Sequence, residues 1–199
     1  MSRSYWGAPH LFGADDARSI PDPELESVRS TLIKYIPADV GQAGTRVQML
    51  SFLMDHPEAL QRTCEEGHLT ASALVIRAEG ECGLLTLHRK LGRWLQVGGH
   101  CDGDGNLAAV ALREAVEESG VEDLEVDPRP IDLDMHRIPA HKGEPEHWHL
   151  DTRFLAYAPP RAKLRMSDES LDLRWVGVDE LRAIDTDESV RRLFRIAFE

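Results

Sequence analysis

A chain of 199 residues with 35 acidic and 23 basic side chains has a formal net charge of -12, which argues against non-specific binding to nucleic acid or to an anionic membrane. This charge still permits a small phosphorylated ligand that is met by a local group of basic side chains. The length suits one sizeable hydrophobic core, and we expect a cytoplasmic protein, because no stretch resembles a signal peptide or reaches the roughly 20 apolar residues of a membrane-spanning helix.

The first third of the chain predicts a helical hairpin over residues 22–64. Apolar residues recur at helical spacing up to Pro37, and again in a second run that ends at Pro57. The residues that set the spacing are Leu25, Val28, Leu32 and Ile36 in the first run and Val47, Leu50, Leu53 and Met54 in the second. We therefore assign residues 1–65 to a helical extension that packs on a main domain of residues 66–199.

The main domain alternates strand-like and helix-like runs. Short apolar runs with alternating polarity predict strands, and residues 79–81 are typical of the turn between the first two of them. The predicted strands cover residues 69–77, 83–88, 131–138, 147–157 and 173–178, and residues 190–197 again have helical spacing. Strands flanked by helices in this order predict an α+β layer fold.

A glycine-rich loop with Gly98 and Gly99 runs into a helix that carries three closely spaced glutamates. On a helical wheel of 100° per residue the three carboxylates share one face, and the opposite face is apolar. They belong to Glu114, Glu117 and Glu118. A solvated acidic face would explain the glutamates alone. The glycines before the helix expose backbone carbonyl oxygens, and together with the carboxylates they indicate an oxygen-rich cage for a hard cation such as Mg²⁺.

The loop and the helix resemble the signature motif of the Nudix hydrolase family. That motif is a glycine, five residues, a glutamate, seven residues, then Arg-Glu, an aliphatic residue, any residue, Glu-Glu, any residue, a glycine and an aliphatic residue. The matching positions are Gly99, Arg113, Glu114, Glu117, Glu118, Gly120 and Val121. Two positions depart from the motif, because its first glutamate falls on Gly105 and its first aliphatic position holds the small Ala115.

The resemblance implies an α/β/α sandwich with a mixed sheet, and a metal-dependent hydrolase that cleaves the phosphoanhydride of a nucleoside diphosphate linked to another moiety. The expected cofactor is Mg²⁺ or Mn²⁺, and the expected partner is a small phosphorylated, nucleotide-linked substrate. The resemblance also assigns roles, with Glu114, Glu117, Glu118 and the Gly99 carbonyl as metal ligands and Arg113 as the residue that orients the glutamates. The resemblance leaves open which glutamate takes the proton of the attacking water. It also leaves open whether the protein forms a homodimer.

A polar strand face is predicted at residues 147–153. In an extended chain His147, His149, Asp151 and Arg153 share one face. An ordinary solvent-facing strand would show the same pattern. In the functional interpretation the face overlooks the metal site, the two histidines and the arginine contact substrate, and Asp151 is an outer ligand or orients them. A third interpretation is that the histidines and the carboxylate hold zinc or iron by themselves.

A basic segment directly precedes the glycine loop. It contains Arg89, Lys90 and Arg93 and ends at Trp94. In an acidic protein such a cluster is the best local attractor for phosphate, so Arg89 and Arg93 are predicted substrate ligands. A basic turn beside a packed Trp94 is the alternative.

A second function stays open, namely a non-catalytic Nudix-like module that binds a nucleotide. Gly105 favours this alternative, whereas the three mutually repelling glutamates weigh against it because a binding module does not need them. If Asp104 or Asp102 takes over the bracing of Arg113, we expect an active chain in which Gly105→Glu changes little.

Overall fold

Four helices and eight strands follow one another in the residues that the computed structural model describes, which are 10–77, 82–140, 143, 145–168 and 170–198. Helices α1 to α4 span Leu25–Lys34, Val40–Asp55, Leu107–Ser119 and Glu188–Phe198. Strands β1 to β8 span Gly67–Arg77, Cys82–His88, Trp94–Leu95, Val97–His100, Glu125–Val126, Asp132–Ile138, His147–Ala158 and Ser170–Gly177. Of the described helices, none is long and apolar enough to cross a membrane. The predicted turn at residues 79–81 lies outside the described residues.

The strands form one mixed sheet around a parallel pair, β1 and β7. β1 also pairs antiparallel with β2 and β4, and β7 pairs antiparallel with β5 and β6. β2 carries the sheet outward through antiparallel pairs with β3 and β8. β1 is therefore a central strand that is paired along both of its edges.

Helices lie on both faces of this sheet. On one face Leu69, Ala71 and Val75 of β1 share a hydrophobic cluster with buried residues of α1, α2 and α3. On the other face Leu74 and Ile76 share a second cluster with α4. Successive side chains of a strand point to opposite faces, which is why neighbouring residues of β1 join different clusters. A mixed sheet between helical layers confirms the predicted α+β sandwich.

The two N-terminal helices pack on the first face. α1 buries Val28 and Leu32, as its spacing predicts, but the predicted Ile36 lies beyond its end and is exposed. In α2 the buried apolar residues are Met49 and Leu53. The prediction that Val47 and Met54 set the apolar face of α2 was wrong, because these side chains are 61% and 77% exposed.

A buried polar side chain attaches α2 to the sheet. Gln42 accepts a hydrogen bond from the backbone N–H of Leu133 at 2.9 Å and donates one to the carbonyl of Leu133 at 3.0 Å. The N-terminal extension and the sheet therefore share one hydrophobic cluster, and Gln42 of the extension bonds the backbone of β6. The division of the chain at residues 65 and 66 stays a prediction.

Candidate functional site

Two glycines of β4 make room for its neighbours. A Cβ atom on Gly98 would lie 2.3 Å from the Cβ of Ser72 on β1, and a Cβ atom on Gly99 would lie 2.1 Å from a carboxylate oxygen of Glu114. Either distance is far inside van der Waals contact, so a larger residue would push β4 away from β1 or displace the glutamate. The glycines thus let the carboxylate helix approach the backbone of this strand.

The helix that carries the glutamates is α3. It begins after Asn106, whose side chain accepts a hydrogen bond from the N–H of Ala109, and it ends at Gly120 in the left-handed conformation with φ 68°. Its first two turns are buried almost all round, including Leu107, Val110 and Ala111, which share the cluster with the N-terminal helices. The carboxylate stripe is therefore confined to the second half of α3.

The three glutamates of this stripe have different surroundings. Glu118 is 9% exposed, and its Oε1 accepts a hydrogen bond from the N–H of Gly98 at 3.3 Å. Glu114 is half-buried and lies against Gly99. Glu117 is exposed. The structure thus brings Glu114 and Glu118 to the glycine loop, and Glu117 lies beside them on the solvent side.

Arg113 connects the helix to the end of β4. Its guanidinium donates to the carbonyl of His100 at 3.2 Å and to Oε1 of Glu114 at 3.0 Å. A carboxylate oxygen of Asp104 lies 3.8 Å from the same guanidinium. Asp102, the other acid considered from the sequence, pairs with Arg62 instead. Asp104 is therefore the loop acid beside Arg113, and the guanidinium is placed to orient Glu114.

The N-terminal extension explains why the motif has a glycine at position 105. The Gly105 N–H donates to the carbonyl of Asp22 at 2.5 Å, and Oδ1 of Asp104 accepts from the N–H of Asp22 at 2.9 Å. A Cβ atom on Gly105 would lie 2.6 Å from the carbonyl oxygen of Glu24. The segment before α1 thus occupies the space of a side chain, so a larger residue at position 105 would have to displace it, and the effect of Gly105→Glu on activity stays a prediction.

Beyond β4, polar side chains follow one face of the sheet, which we call the polar face. The side chains of β7 alternate between the two faces of the sheet, as predicted. Its polar residues lie opposite polar residues of β1 and β6. Three cross-strand rows result: His136, His149 and His68; Asp134, Asp151 and Thr70; and Asp132, Arg153 and Ser72. Much of the polar face is buried rather than solvent-facing, since Asp151 and Arg153 are 4% and 2% exposed.

One end of the polar face is a buried ion network, made of Asp132, Asp134, Asp151, Arg153 and Arg192. Arg153 contacts the three aspartates at 3.3, 3.2 and 2.8 Å. Arg192 of α4 contacts Asp132 at 2.8 Å and Asp134 at 3.0 Å. Asp151 also accepts from the hydroxyl of Ser72 at 2.8 Å. These pairs favour a structural role for Arg153 over the substrate contact that the sequence suggested, and that contact stays a prediction.

Charges in this network shift the pKa values of its members. Burial raises the pKa of Asp132 against the opposing effect of Arg192 and Arg153. Burial also acts to raise the pKa of Asp134, but the hydrogen bond to His136 and the charge of Arg153 outweigh it and lower that pKa well below its usual range. Burial disfavours charged His136, yet its bond to Asp134 outweighs burial and raises the pKa of His136. The neighbouring cations thus favour the charged form of Asp134, whereas burial disfavours the charged form of Asp132.

The other end of the polar face is a histidine cluster, made of His68, His100, His136, His147 and His149. The ring of His68 lies 4.9 Å from that of His100, 4.8 Å from that of His147 and 4.9 Å from that of His149. The predicted pair on β7 thus meets histidines of three other strands. Sequence reasoning missed those three, because only the strand register shows that they share a face.

Burial keeps several of these imidazoles neutral. Burial, reinforced by His100 and His68, lowers the pKa of His149 to about 2. Burial, reinforced by His68 and Arg62, lowers the pKa of His100 to about 4. Burial also lowers the pKa of His68, against a hydrogen bond to the Cys64 carbonyl. These three rings are uncharged near neutral pH.

The basic segment before β4 lies on the surface. Arg89 and Arg93 are exposed, and Trp94 is buried under the guanidinium of Arg174, which lies 4.3 Å from its ring. Arg89 donates to the backbone carbonyls of Asp168 and Ser170 at 2.8 and 3.1 Å, so it ties this turn to the start of β8. Their role as substrate ligands stays a prediction.

Known proteins share both the sequence pattern and the fold. The family model for the NUDIX domain matches residues 67–195. The sequence has no match among curated proteins. The fold is similar to a NUDIX family hydrolase from Clostridium perfringens, with 20% identity, 64% of this chain and 93% of that chain covered, and a TM-score of 0.52.

Two further solved structures have a similar fold. One is a C. elegans Ap4A hydrolase in a binary complex, with 20% identity, 65% of this chain and 93% of that chain covered, and a TM-score of 0.53. The other is the E. coli dihydroneopterin triphosphate pyrophosphohydrolase, with 17% identity, 64% and 92% covered, and a TM-score of 0.50. At these identities the likeness concerns the fold.

The family match begins at the first residue of β1 and extends into α4, so it includes the glycine loop, α3 and the whole sheet. Its range covers well over half of the chain, and within it lie the glycines, the arginine and the glutamates from which the resemblance was first predicted. The chain therefore belongs to the NUDIX family of hydrolases.

Proposed function

We propose that this protein is a metal-dependent pyrophosphohydrolase that cleaves the phosphoanhydride of a nucleoside diphosphate linked to another moiety. One observation carries the proposal: Glu114 and Glu118 of α3 meet the backbone of Gly98 and Gly99, with Arg113 bonded to Glu114. Carboxylate and backbone carbonyl oxygens suit a hard divalent cation such as Mg²⁺ or Mn²⁺ better than an ion that prefers nitrogen or sulfur ligands. The family match supports the reaction class.

The residues present fit Mg²⁺ or Mn²⁺. Glu114, Glu117, Glu118 and the carbonyl of Gly99 would hold the ion, and all of these donors are oxygens. A bound ion of this kind neutralises diphosphate charge and lowers the pKa of water. Like charges at Glu114 and Glu118, four residues apart on one helix, repel each other by roughly 0.2–0.5 kcal/mol, a cost that a cation between them removes.

The neighbouring groups give the three carboxylates different proposed roles. Arg113 holds Glu114 in one orientation through the bond at 3.0 Å and is itself anchored on the carbonyl of His100. Glu118 is fixed by the N–H of Gly98. The exposed Glu117 has the greatest access to solvent, so it is the carboxylate best placed to accept the proton of an attacking water.

For the substrate we propose a small nucleotide-linked diphosphate. Two structural neighbours are named for Ap4A and for dihydroneopterin triphosphate, compounds that contain phosphoanhydride bonds. The exposed Arg89 and Arg93 are proposed to attract the anionic substrate, and His147 and His149 to contact it from the polar face. Which compound is cleaved is a question for a panel of nucleotide sugars, dinucleotides, ADP-ribose and nucleoside triphosphates.

Glu118→Gln tests the proposal on the best substrate of that panel with Mg²⁺ or Mn²⁺. The change removes the charge and keeps the shape, so we expect kcat to fall by about 10³-fold or more while thermal unfolding stays near that of the wild type. Glu122→Gln is the matched control, because it removes one exposed carboxylate just beyond the helix and should keep full activity.

Full activity of Glu118→Gln, or equal activity in excess chelator, would contradict the metal-dependent reaction. A wild type that binds nucleotides but hydrolyses none of them with any metal would support the non-catalytic module instead. The packing of residues 22–24 against Gly105 gives a structural reason for the glycine that does not require a loss of catalysis.

A further inference from the structure

The histidine cluster holds three side chains in an arrangement suited to a metal ion. The ligand nitrogens of His68, His100 and His149 all lie within 4.8 Å of one another. A tetrahedral ion with bonds of roughly 2.0–2.1 Å to nitrogen needs ligand atoms roughly 3.3–3.4 Å apart. Ring rotations that close the remaining gap, at most about 1.5 Å, would complete the geometry.

His68 provides an independent sign of a ligand. Its Nδ1 lies 3.5 Å from the carbonyl of Cys64, which places the proton on Nδ1 and a lone pair on Nε2. That Nε2 is buried and has no hydrogen-bond partner among the described residues, in a side chain only 4% exposed. A buried polar atom left unpaired costs roughly 1–3 kcal/mol, so its retention points to something that it binds. An imidazole held by a backbone carbonyl through its other nitrogen is the usual form of a metal ligand.

The neighbouring groups favour a cation that prefers nitrogen. Imidazole nitrogen is a typical ligand of Zn²⁺, and the group formed by His68, His100 and His149 contains no carboxylate. Nδ1 of His147 lies 2.9 Å from the carbonyl of Pro145, and its Nε2 lies 3.3 Å from Nε2 of His149. His147 therefore positions the ring of His149 by accepting from its Nε2–H, which leaves the lone pair of His149 on Nδ1. Asp151 is occupied by Ser72 and Arg153, so the carboxylate that the sequence suggested as a partner of these histidines serves the ion network instead.

We propose that His68, His100 and His149 bind a divalent transition-metal ion of the Zn²⁺ type, with a fourth position open to water or to an anionic ligand. Three imidazoles with an open position are typical of reactive rather than purely structural zinc sites. Nitrogen ligands separate this site from the carboxylates of α3, which suit Mg²⁺. The two sites adjoin at β4, where His100 directly follows Gly99 and its carbonyl receives Arg113. The inference stands independently of the hydrolase activity.

A second group must be distinguished in any test. His56, Glu58, Cys64 and Glu66 also place their ligand atoms within 4.8 Å of one another. Its two glutamates are exposed, and its cysteine is already bonded to Glu58 at 3.7 Å, so it lacks the buried unpaired nitrogen that marks the histidine cluster. It provides the control for zinc binding elsewhere on the chain.

The test is calorimetric titration of the metal-stripped full chain with Zn²⁺ in excess Mg²⁺, which occupies the oxygen ligands of α3. We expect one equivalent of Zn²⁺ to bind, and Co²⁺ at the same site to give the intense visible absorption of tetrahedral coordination. His149→Ala and His68→Ala should each weaken Zn²⁺ binding by about 100-fold or more, since each removes one of three ligands. His56→Ala and Glu118→Gln should bind Zn²⁺ as the wild type does.

Far-UV circular dichroism and thermal unfolding show whether each variant is folded. If His68→Ala does not fold, His149→Gln removes a half-buried ligand with little change of volume and answers the same question. The proposal is overturned if the wild type binds no Zn²⁺, if folded variants at positions 68 and 149 keep wild-type affinity, or if His56→Ala abolishes binding.

Discussion

The two ends of the polar face use the same strands for opposite purposes. In the buried ion network every charged group meets an opposite charge within 3.3 Å, and the side chain of Arg153 is only 3% exposed. In the histidine cluster the rings face one another, and Nε2 of His68 has no partner in the described part of the chain. The charged groups of the ion network are paired with one another, whereas the histidine cluster has nitrogen lone pairs available for a ligand.

The difference shows that a structural network and a candidate binding site can lie next to each other on the same strands. On β7, Asp151 and Arg153 follow His147 and His149 on the same face. Opposite them, β6 provides Asp132 and Asp134 to the network and His136 to the cluster. α4 adds Arg192 only at the network end. The partner on the adjacent element therefore decides whether a polar side chain is neutralised or left available.

The largest loss of stability should come from removing the arginine that joins the three aspartates of the ion network. Arg153→Met leaves the buried Asp132 and Asp151 without their shared cation, so the free energy of unfolding should fall by about 3–5 kcal/mol. Arg195→Met is the matched control on α4, because it breaks an exposed ion pair with Glu188 and should cost less than about 1 kcal/mol. Urea unfolding measures both. Equal stabilities for the two variants would show that the network is not the anchor described here.

A smaller effect should come from acidifying the metal-free protein. The pKa of His100 is about 4 in the folded chain and rises to 6.5 on unfolding, so the unfolded state binds more protons between these values. His100 alone should therefore lower the free energy of unfolding by about 2 kcal/mol as the pH drops from about 6.5 towards 4, after allowance for partial exposure of the ring. His68 and His149 act in the same direction.

His136 acts in the opposite direction. Its raised pKa contributes stability below about pH 6.5 that is lost as the pH rises through its folded value. Urea unfolding across this range, with His100→Gln as the comparison, separates the contributions. A wild type whose stability stays constant from about pH 7 to pH 4.5, or falls no more than that of His100→Gln, would refute the neutral cluster.

The smallest effect should come from replacing a ring of the cluster. In the metal-free protein His68→Leu removes an unpaired nitrogen and keeps a similar volume, so the free energy of unfolding should change by less than about 1 kcal/mol or should increase. Urea unfolding of both proteins in chelator measures the change. A loss as large as that of Arg153→Met would mean that His68 anchors the structure through more than its long bond to the Cys64 carbonyl, and the contrast between the two ends would disappear.

Much of this molecule could be predicted from local sequence patterns. Helical spacing located Val28 and Leu32 on the buried face of α1, and alternation placed His149, Asp151 and Arg153 on one face of a strand. The family resemblance rested on Gly99, Arg113 and the glutamates, which lie within one loop and one helix. Such features depend on periods of 3.6 and 2 residues, which short-range backbone geometry imposes.

What the tertiary structure decided involves residues far apart in the chain. Gly105 departs from the motif, and residues 22–24 occupy the space that a larger side chain would need at this position. His68 and His149 are 81 positions apart, and only the parallel register of β1 and β7 brings them together. The sequence by itself determined which side chains share a face of each element. Which faces meet was decided by strand register and packing, because these contacts depend on cooperative burial across the whole sheet rather than on any local period.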